Sequence, residues 1–453
     1  MMRVNLSIFN SDNVKKKISF AVASLFFVFL IWICNKGLSY LLVSDLKSYT
    51  RVMLHELYNQ EDNIDVLFLG SSHCYRSLDT NITDEIFELN TFNAGTSSQY
   101  WDGSYALLVE AGKENSLKRV FVEMYYNAAG QVYDERTELK STYLISDYMK
   151  PSYNKYRYLF QASDSEYWIN GLISSRRNWR DMFEPMYVGN NLQEKQQDAY
   201  KNYSYPVNET EYYAGKGFVS STETREKNDF LIDKDCRKIE ENIFTEDDKK
   251  SLEKIIKYCK KNNIEVTFFA APMSDFMLVN VENYDLYIQQ VESFLSEYDV
   301  EYFDFNLCKN CFSSAKGEYY KDCDHLNAKG AEAFSKVFSN FFTGKIEYDE
   351  LFYPNWREKI SQTDIGQTYG LFFSRSEDEE NNIITLRPVQ YVEHDVYYSI
   401  YIRKYGEEEW KEVEILDKNS EIKIPKSKTG MLLIYVFDSA LGETPVIEAT
   451  IGL

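Results

Sequence analysis

The sequence predicts an α/β fold: a parallel sheet covered on both faces in a three-layer α/β/α arrangement, preceded by a transmembrane helix and followed by a β-sandwich. Three observations predict it. Between about residues 64 and 343, five short apolar runs alternate with helical periodicity, the pattern of βα units around a buried parallel sheet. An uncharged apolar run lies near the N-terminus, from Ile18 to Cys34. From about Ile346 the chain changes to short strand-like segments separated by turn residues. With 453 residues, 44% of them hydrophobic, the chain is long enough for two globular units.

The N-terminal run, ISFAVASLFFVFLIWIC, follows Lys15, Lys16 and Lys17. Its 17 residues sit at the short end of what spans a bilayer as a helix. Asn35, Lys36 and Gly37 interrupt it before LSYLLV carries apolar character on to Val43, and Lys36 can snorkel to the headgroups. No A-x-A-like cleavage site follows, so an uncleaved anchor is expected rather than a signal peptide. The basic cluster places the N-terminus in the cytoplasm and everything after about residue 44 outside. Residues 1–44 therefore read as cytoplasmic N-terminus plus anchor of a single-pass cell-membrane protein.

Leu46 to Gln60 reads as a polar amphipathic connector. The first strand, Ile64–Leu69, ends at Gly70, and the second, Thr91–Ala94, ends at Gly95. A helix is expected over Ser104–Glu114 and a third strand over Arg119–Tyr125. Glu246–Lys261 reads as a helix, with Thr245 as N-cap and acidic residues in its first turn. A fourth strand, Ile264–Ala271, is stopped by Pro272. Tyr284–Tyr298 is a helix, Val300–Phe305 a fifth strand, and Asn327–Phe342 a final amphipathic helix. Together these define an α/β domain over 45–345.

Within that domain, about 128–244 is polar and Tyr-rich with no strand–helix alternation, as expected of an insertion forming a lid or a substrate surface. Residues 346–453 carry about seven strand-like runs, among them IITLRPV, VYYSIYIRKY and MLLIYVF, which suits a small β-sandwich.

Charge and cysteine usage exclude some functions. The net charge of −21 argues against nucleic acid, which needs clustered Lys and Arg, and against broad docking on an anionic lipid surface. Seven cysteines are too few for a disulfide scaffold. Cys308 and Cys311 form a CxxC, with Cys323 and His325 downstream. This reads as a loop cluster or a local disulfide, with a Cys3His zinc site as the alternative.

The chemistry concentrates at strand ends, where open α/β sheets bind ligands. Gly70-Ser71-Ser72-His73 follows the first strand, a place where a sharp turn can present a hydroxyl. Asn93-Ala94-Gly95 closes the second strand, and without a Cβ the Gly95 N–H is open to a ligand. Asn127 follows the third strand, and its amide can donate to an oxyanion. Asp322 lies three residues before His325 in DCDHLN, a spacing that lets the acid orient the imidazole. Each of these has a plainer reading: turn residues for the first three, and a helix cap at Asp324 or Asn327 for the last.

Taken in order, these blocks resemble the SGNH (GDSL-like) hydrolase superfamily, from about Ile64 to Thr343. Asp324–Ser335, DHLNAKGAEAFS, is similar to the final block of its membrane-anchored bacterial branch. That branch includes the D-alanyl transfer protein of teichoic acid synthesis and proteins of polysaccharide O-acetylation.

The resemblance implies Ser72 as nucleophile, His325 as general base and Asp322 as its orienting acid. It also implies an oxyanion hole from the Ser72 and Gly95 N–H groups and the Asn127 amide. Position 71 is Ser where the family commonly has Asp, making Ser71 a rival nucleophile, and the usual Gly before Asn127 is missing. The implied activity is that of a serine esterase or O-acyltransferase on acyl, in particular acetyl, esters of cell-envelope polysaccharide. It needs no metal or organic cofactor. The implied partners are that polysaccharide or an acyl donor, the membrane, and a membrane-bound acyltransferase. The alternative is a non-catalytic SGNH-like surface protein that binds glycan or a partner protein.

Overall fold

Strand propensity in the apolar runs is realised as one five-stranded parallel sheet. The computed structural model describes residues 11–130, 140–184, 186–206, 210–225, 231–233, 236–309, 317–362, 368, 370–390, 394–441 and 444–453. The strands are β1 (Val66–Leu69), β2 (Thr91–Asn93), β3 (Arg119–Glu123), β4 (Glu265–Ala270) and β5 (Tyr302–Asp304). Their spatial order is β5-β4-β3-β1-β2. Val66 pairs with both Thr91 and Arg119, so β1 is an interior strand, and because every pairing is parallel all the carboxyl ends reach the same edge. Every residue of β1 is buried, as expected of a strand covered on both faces.

The helix Ala328–Phe342 fixes the end of the domain onto this sheet. Phe338 packs edge-on against Phe68 of β1, Phe121 of β3 and Phe269 of β4, with ring centroids 4.9–5.9 Å apart. Each such fully buried ring contributes about 1.5–3 kcal/mol. The Asn327 side chain caps the helix by accepting from the Gly330 N–H at 3.0 Å. The loop before it, with Asp322 and His325, is thereby held at the carboxyl edge. The predicted helix Glu246–Lys261 forms with those bounds, and Thr245 and Asp248 close a capping box at its start.

The stretch expected to be a polar amphipathic connector contains a helix, α2 (Tyr49–Leu57), which follows the N-terminal helix α1 (Ser11–Leu42). Val52, Met53, Leu54 and Leu57 of α2 are buried. Thr50 and Arg51 are buried with them, so more than the apolar face of the helix is covered. Arg51 is buried with its guanidinium over the rings of Tyr200 and Tyr203, 3.8 and 4.3 Å from their centroids.

The N-terminal helix α1 runs through Asn35-Lys36-Gly37 without a break, and Lys16–Leu42 is long and apolar enough to cross a bilayer. Its lower part, Ile18–Ile33, is exposed all round. Its last turns are docked on the protein. Asn35 donates to the Leu172 carbonyl at 3.2 Å, and Ser39 meets Ser174 at 2.7 Å. Tyr187, Asn191 and Lys195 donate to the carbonyls of Leu42, Leu41 and Val43, satisfying the terminal carbonyls that a helix leaves unpaired.

That collar belongs to the segment expected as an insertion. It carries exposed Trp168, Ile169, Leu172, Trp179, Phe183 and Met186 beside its contacts with α1. Further along, a hairpin of Glu211–Gly215 and Phe218–Ser221 packs against β2, where Asn93 N–H donates to the Lys216 carbonyl at 2.9 Å. Gly217 is required there: its φ is +81°, and a Cβ would lie 1.6 Å from the Asn93 carbonyl oxygen.

The C-terminal part supplies seven antiparallel-type strands in two sheets. One sheet is Lys411–Asp417, Tyr397–Lys404, Gly430–Phe437 and Ile447–Gly452. The other joins Glu421–Pro425, Asn381–Val389 and Gly370–Glu377 with Leu231–Asp233, a strand of the insertion that pairs parallel to Gly370–Glu377. Between the sheets lies a second core that includes Ile384, Ile400, Ile422 and Ile434.

Candidate active site

At the carboxyl end of β1 the chain turns at Gly70 into the short helix α3 (Ser72–Ser77). Gly70 serves by its size, not by an unusual backbone. A Cβ there would meet the Cβ and Oε2 of Glu123 at 2.5 Å and the Cβ of Cys74 at 2.8 Å. Ser71 is the N-cap of α3: its Oγ accepts the His73 N–H at 3.2 Å and also contacts His73 Nδ1 at 3.1 Å. Ser71 is buried, while Ser72 is half-buried.

The structure brings Ser72, His325 and Asp322 into one chain of hydrogen bonds. Ser72 Oγ lies 2.7 Å from His325 Nε2. His325 Nδ1 lies 3.0 Å from both carboxylate oxygens of Asp322. Asp322 Oδ1 also accepts the backbone N–H groups of Asp324 and His325, each at 2.8 Å. Burial acts to raise the Asp322 carboxyl, but the His325 hydrogen bond and charge and these N–H donors outweigh it. They hold it well below the usual carboxylate range. Both ring nitrogens of His325 are thus engaged by Ser72 and Asp322, so the residue offers no lone pair to a metal in this arrangement. Cys311 lies outside the described residues, and among the described residues no group of three or more His, Cys, Asp or Glu is placed to hold a metal ion.

His73, which the sequence offers as a support for the site or as an exposed residue, is buried and stacks on His325 with centroids 4.6 Å apart and planes at 17°. Tyr125 packs on His73 at 4.4 Å. The ring of His325 is therefore positioned by a hydrogen bond at each nitrogen and by a stack on its face.

Gly95 sits beside this turn, where a Cβ would be 3.1 Å from the Ser71 carbonyl oxygen. Its N–H, expected to be open, donates to Asn93 Oδ1 at 3.1 Å. Asn93 is fully buried, and its amide also donates to the Cys74 carbonyl at 3.0 Å. Asn127 lies in the single 3-10 turn Tyr126–Ala128 just after β3, half-buried. Among the described residues the Ser72 N–H has no hydrogen-bond acceptor.

Three supporting residues escaped the sequence reading. Glu123, the last residue of β3, is buried beneath the turn and accepts the Ser71 N–H at 2.5 Å. Asn93 ties β2 to α3. Glu211 of the insertion hairpin bridges Arg76 of α3 (2.5 Å) and Lys321 of the histidine loop (3.1 Å). A carboxylate closing the apolar run RVFVE, and an Asn before a strand-end glycine, were visible signals for the first two. Nothing local marks Glu211, which lies 135 residues from its partner Arg76.

Burial pushes the Glu123 carboxyl up to about 7, against the partial relief of its Ser71 and Cys74 hydrogen bonds. A carboxyl raised by folding stabilises the protein relative to its ionised state at low pH, and that advantage is lost as pH rises from about 4.5 to about 7. The loss is on the order of 3 kcal/mol. Glu123→Gln, which keeps an acceptor for Ser71, should flatten the dependence of Tm on pH across this window. A profile as steep as the wild type's would show that another group is responsible.

No protein-family model matches the chain, and no curated protein does. Among solved structures it is similar to a Streptococcus pneumonia protein provisionally described as a platelet activating factor, at 11% identity and a TM-score of 0.32. That match covers 69% of this chain and 98% of the other. It is also similar to a gut microbial diltiazem-metabolizing enzyme, at 13% identity and a TM-score of 0.19, over 82% of this chain and 67% of the other.

Proposed function

We propose that the chain is a membrane-anchored serine esterase or O-acyltransferase of the SGNH type, acting outside the cytoplasm on acyl esters of cell-envelope polysaccharide. The observation that carries this reading is the Ser72–His325–Asp322 relay, with its 2.7 Å and 3.0 Å contacts. A nucleophile, a base within reach of it and an acid orienting the base are the three parts that covalent acyl transfer requires.

In the first half-reaction His325 Nε2 takes the proton of Ser72 Oγ as Oγ bonds to the ester carbonyl carbon. The ester C–O bond then breaks, and His325 returns the proton to the leaving alkoxide. In the second, water or a glycan hydroxyl gives its proton to His325 and attacks the acyl-enzyme. The bond to Ser72 Oγ breaks, and Oγ regains its proton. The developing oxyanion is held first by the Ser72 N–H. The Gly95 N–H serves as a second donor if shared with Asn93 Oδ1, and the Asn127 amide as a third. The geometry favours Ser72 over Ser71, whose hydroxyl is occupied in capping α3.

The test is to treat the full chain in detergent with a fluorophosphonate and map the adduct by peptide mass spectrometry. Phosphonylation of Ser72 that persists in Ser71→Ala is the expected result. Folded protein that stays unlabelled and turns over no acetyl ester would instead support the non-catalytic surface-protein reading.

A further inference from the structure

Where α1 leaves the bilayer, its last turns, α2 and the collar enclose a cavity of about 470 Å³. Its wall includes Lys36, Arg51, Lys150 and Lys195, against two carboxylates, Asp45 and Asp147. In a chain of net charge −21 this is a local reversal of sign. Both carboxylates are already committed. Asp45 is 2.5 Å from Lys195 and 3.8 Å from Arg51, and Asp147 pairs with Arg177. Among the described residues Lys36 and Lys150 have no salt bridge, and Arg51 Nη1 is buried without a hydrogen-bond partner.

The position of the cavity says what fills it. The same collar hydrogen-bonds the end of the membrane helix and exposes Trp168, Ile169, Leu172, Trp179, Phe183 and Met186 next to those contacts. Tryptophan and large apolar side chains beside a membrane helix belong at the bilayer interface. The cavity therefore opens at the depth of the lipid headgroups. We propose that it binds the phosphorylated headgroup of a membrane lipid, with Lys36 and Lys150 contacting the phosphate and the tail running along α1 into the bilayer.

A second cavity, of about 380 Å³, shares Tyr148 with the first and reaches Ser97, which follows Gly95 and meets Tyr75 of α3 at 3.2 Å. A polar group attached to the lipid is thereby directed from the headgroup site toward the Ser72 turn. This last step rests on the proposed serine chemistry, but the lipid site itself does not.

The test uses the full chain in detergent, titrated by native mass spectrometry with phosphatidic acid, with diacylglycerol of the same tails, and with inorganic phosphate. Phosphatidic acid should bind about tenfold or more tightly than either, since charge-assisted hydrogen bonds to phosphate need the cations and retention at the interface needs the tails. Lys36→Gln with Lys150→Gln should remove that preference. Lys36→Arg with Lys150→Arg should keep it, as should Lys17→Gln at the opposite end of the helix. Equal binding of phosphatidic acid and diacylglycerol, or indifference to the glutamine pair, overturns the site. Inorganic phosphate binding as tightly as phosphatidic acid overturns the lipid assignment. Ser72→Ala should bind the lipid unchanged, so a failure of the serine reading and a failure of the lipid site are told apart.

Discussion

Ser72→Ala should lower kcat for an acetyl ester by about 10⁶-fold, leaving the residual rate that binding and oxyanion contacts alone supply. The physical reason is the 2.7 Å contact from Ser72 Oγ to His325 Nε2, through which the hydroxyl loses its proton as it attacks. Removing it leaves no group near the base that can form the acyl-enzyme. Ser71→Ala should act otherwise. Its hydroxyl caps α3 at the His73 N–H, so its loss should cost about 1 kcal/mol of stability and only a modest part of the rate. Measuring kcat and thermal midpoint for both variants separates the roles. A Ser71→Ala enzyme as dead as Ser72→Ala, yet folded, would reassign the nucleophile.

The second large effect is expected for Asp322→Asn, with kcat falling about 10⁴-fold and KM little changed. The aspartate accepts from His325 Nδ1 at 3.0 Å and so selects the tautomer whose Nε2 can accept the serine proton. An asparagine can present its N–H₂ to Nδ1 and favour the opposite tautomer. Asp322 is depressed by folding, so its contribution to stability is present above the unfolded carboxyl range and is lost only as pH falls through its low folded value. Between about pH 5 and 8 it stays ionised, and no inflection in the wild-type pH–rate profile should belong to it. A KM effect that dominates over kcat would place Asp322 in substrate binding instead.

Much of the fold was legible because periodicity is a local property. Buried parallel strands need continuous apolar stretches, and the centres of these runs, VLFL at 66–69, VFV at 120–122 and VTFFAA at 266–271, carry no charge. The N-terminal apolar helix was legible for the same reason. Its 17-residue core is the part left exposed, and the polar Asn35-Lys36-Gly37 step is where the helix meets the collar. The burial of polar residues in the amphipathic connector over Leu46–Gln60, Arg51 above all, was not legible because their partners lie about 150 residues away.

The sequence by itself determined the five apolar runs of the parallel sheet, an N-terminal helix long and apolar enough to cross a bilayer and the β-rich C-terminal part, and it marked the residues of the candidate triad, since each is written in residue type and short spacing. Only the tertiary structure decided what depends on distant contacts. It joined Ser72 to His325 across 253 positions, gave Ser71 the capping role, and engaged the Gly95 N–H with Asn93. It also set Glu123 beneath the Ser71–Ser72 turn, and it used part of the segment over 128–244 to dock the end of the N-terminal helix and to add a strand to a C-terminal sheet. Hydrogen-bond partners and burial are properties of three-dimensional neighbours, and spacing along the chain does not encode them.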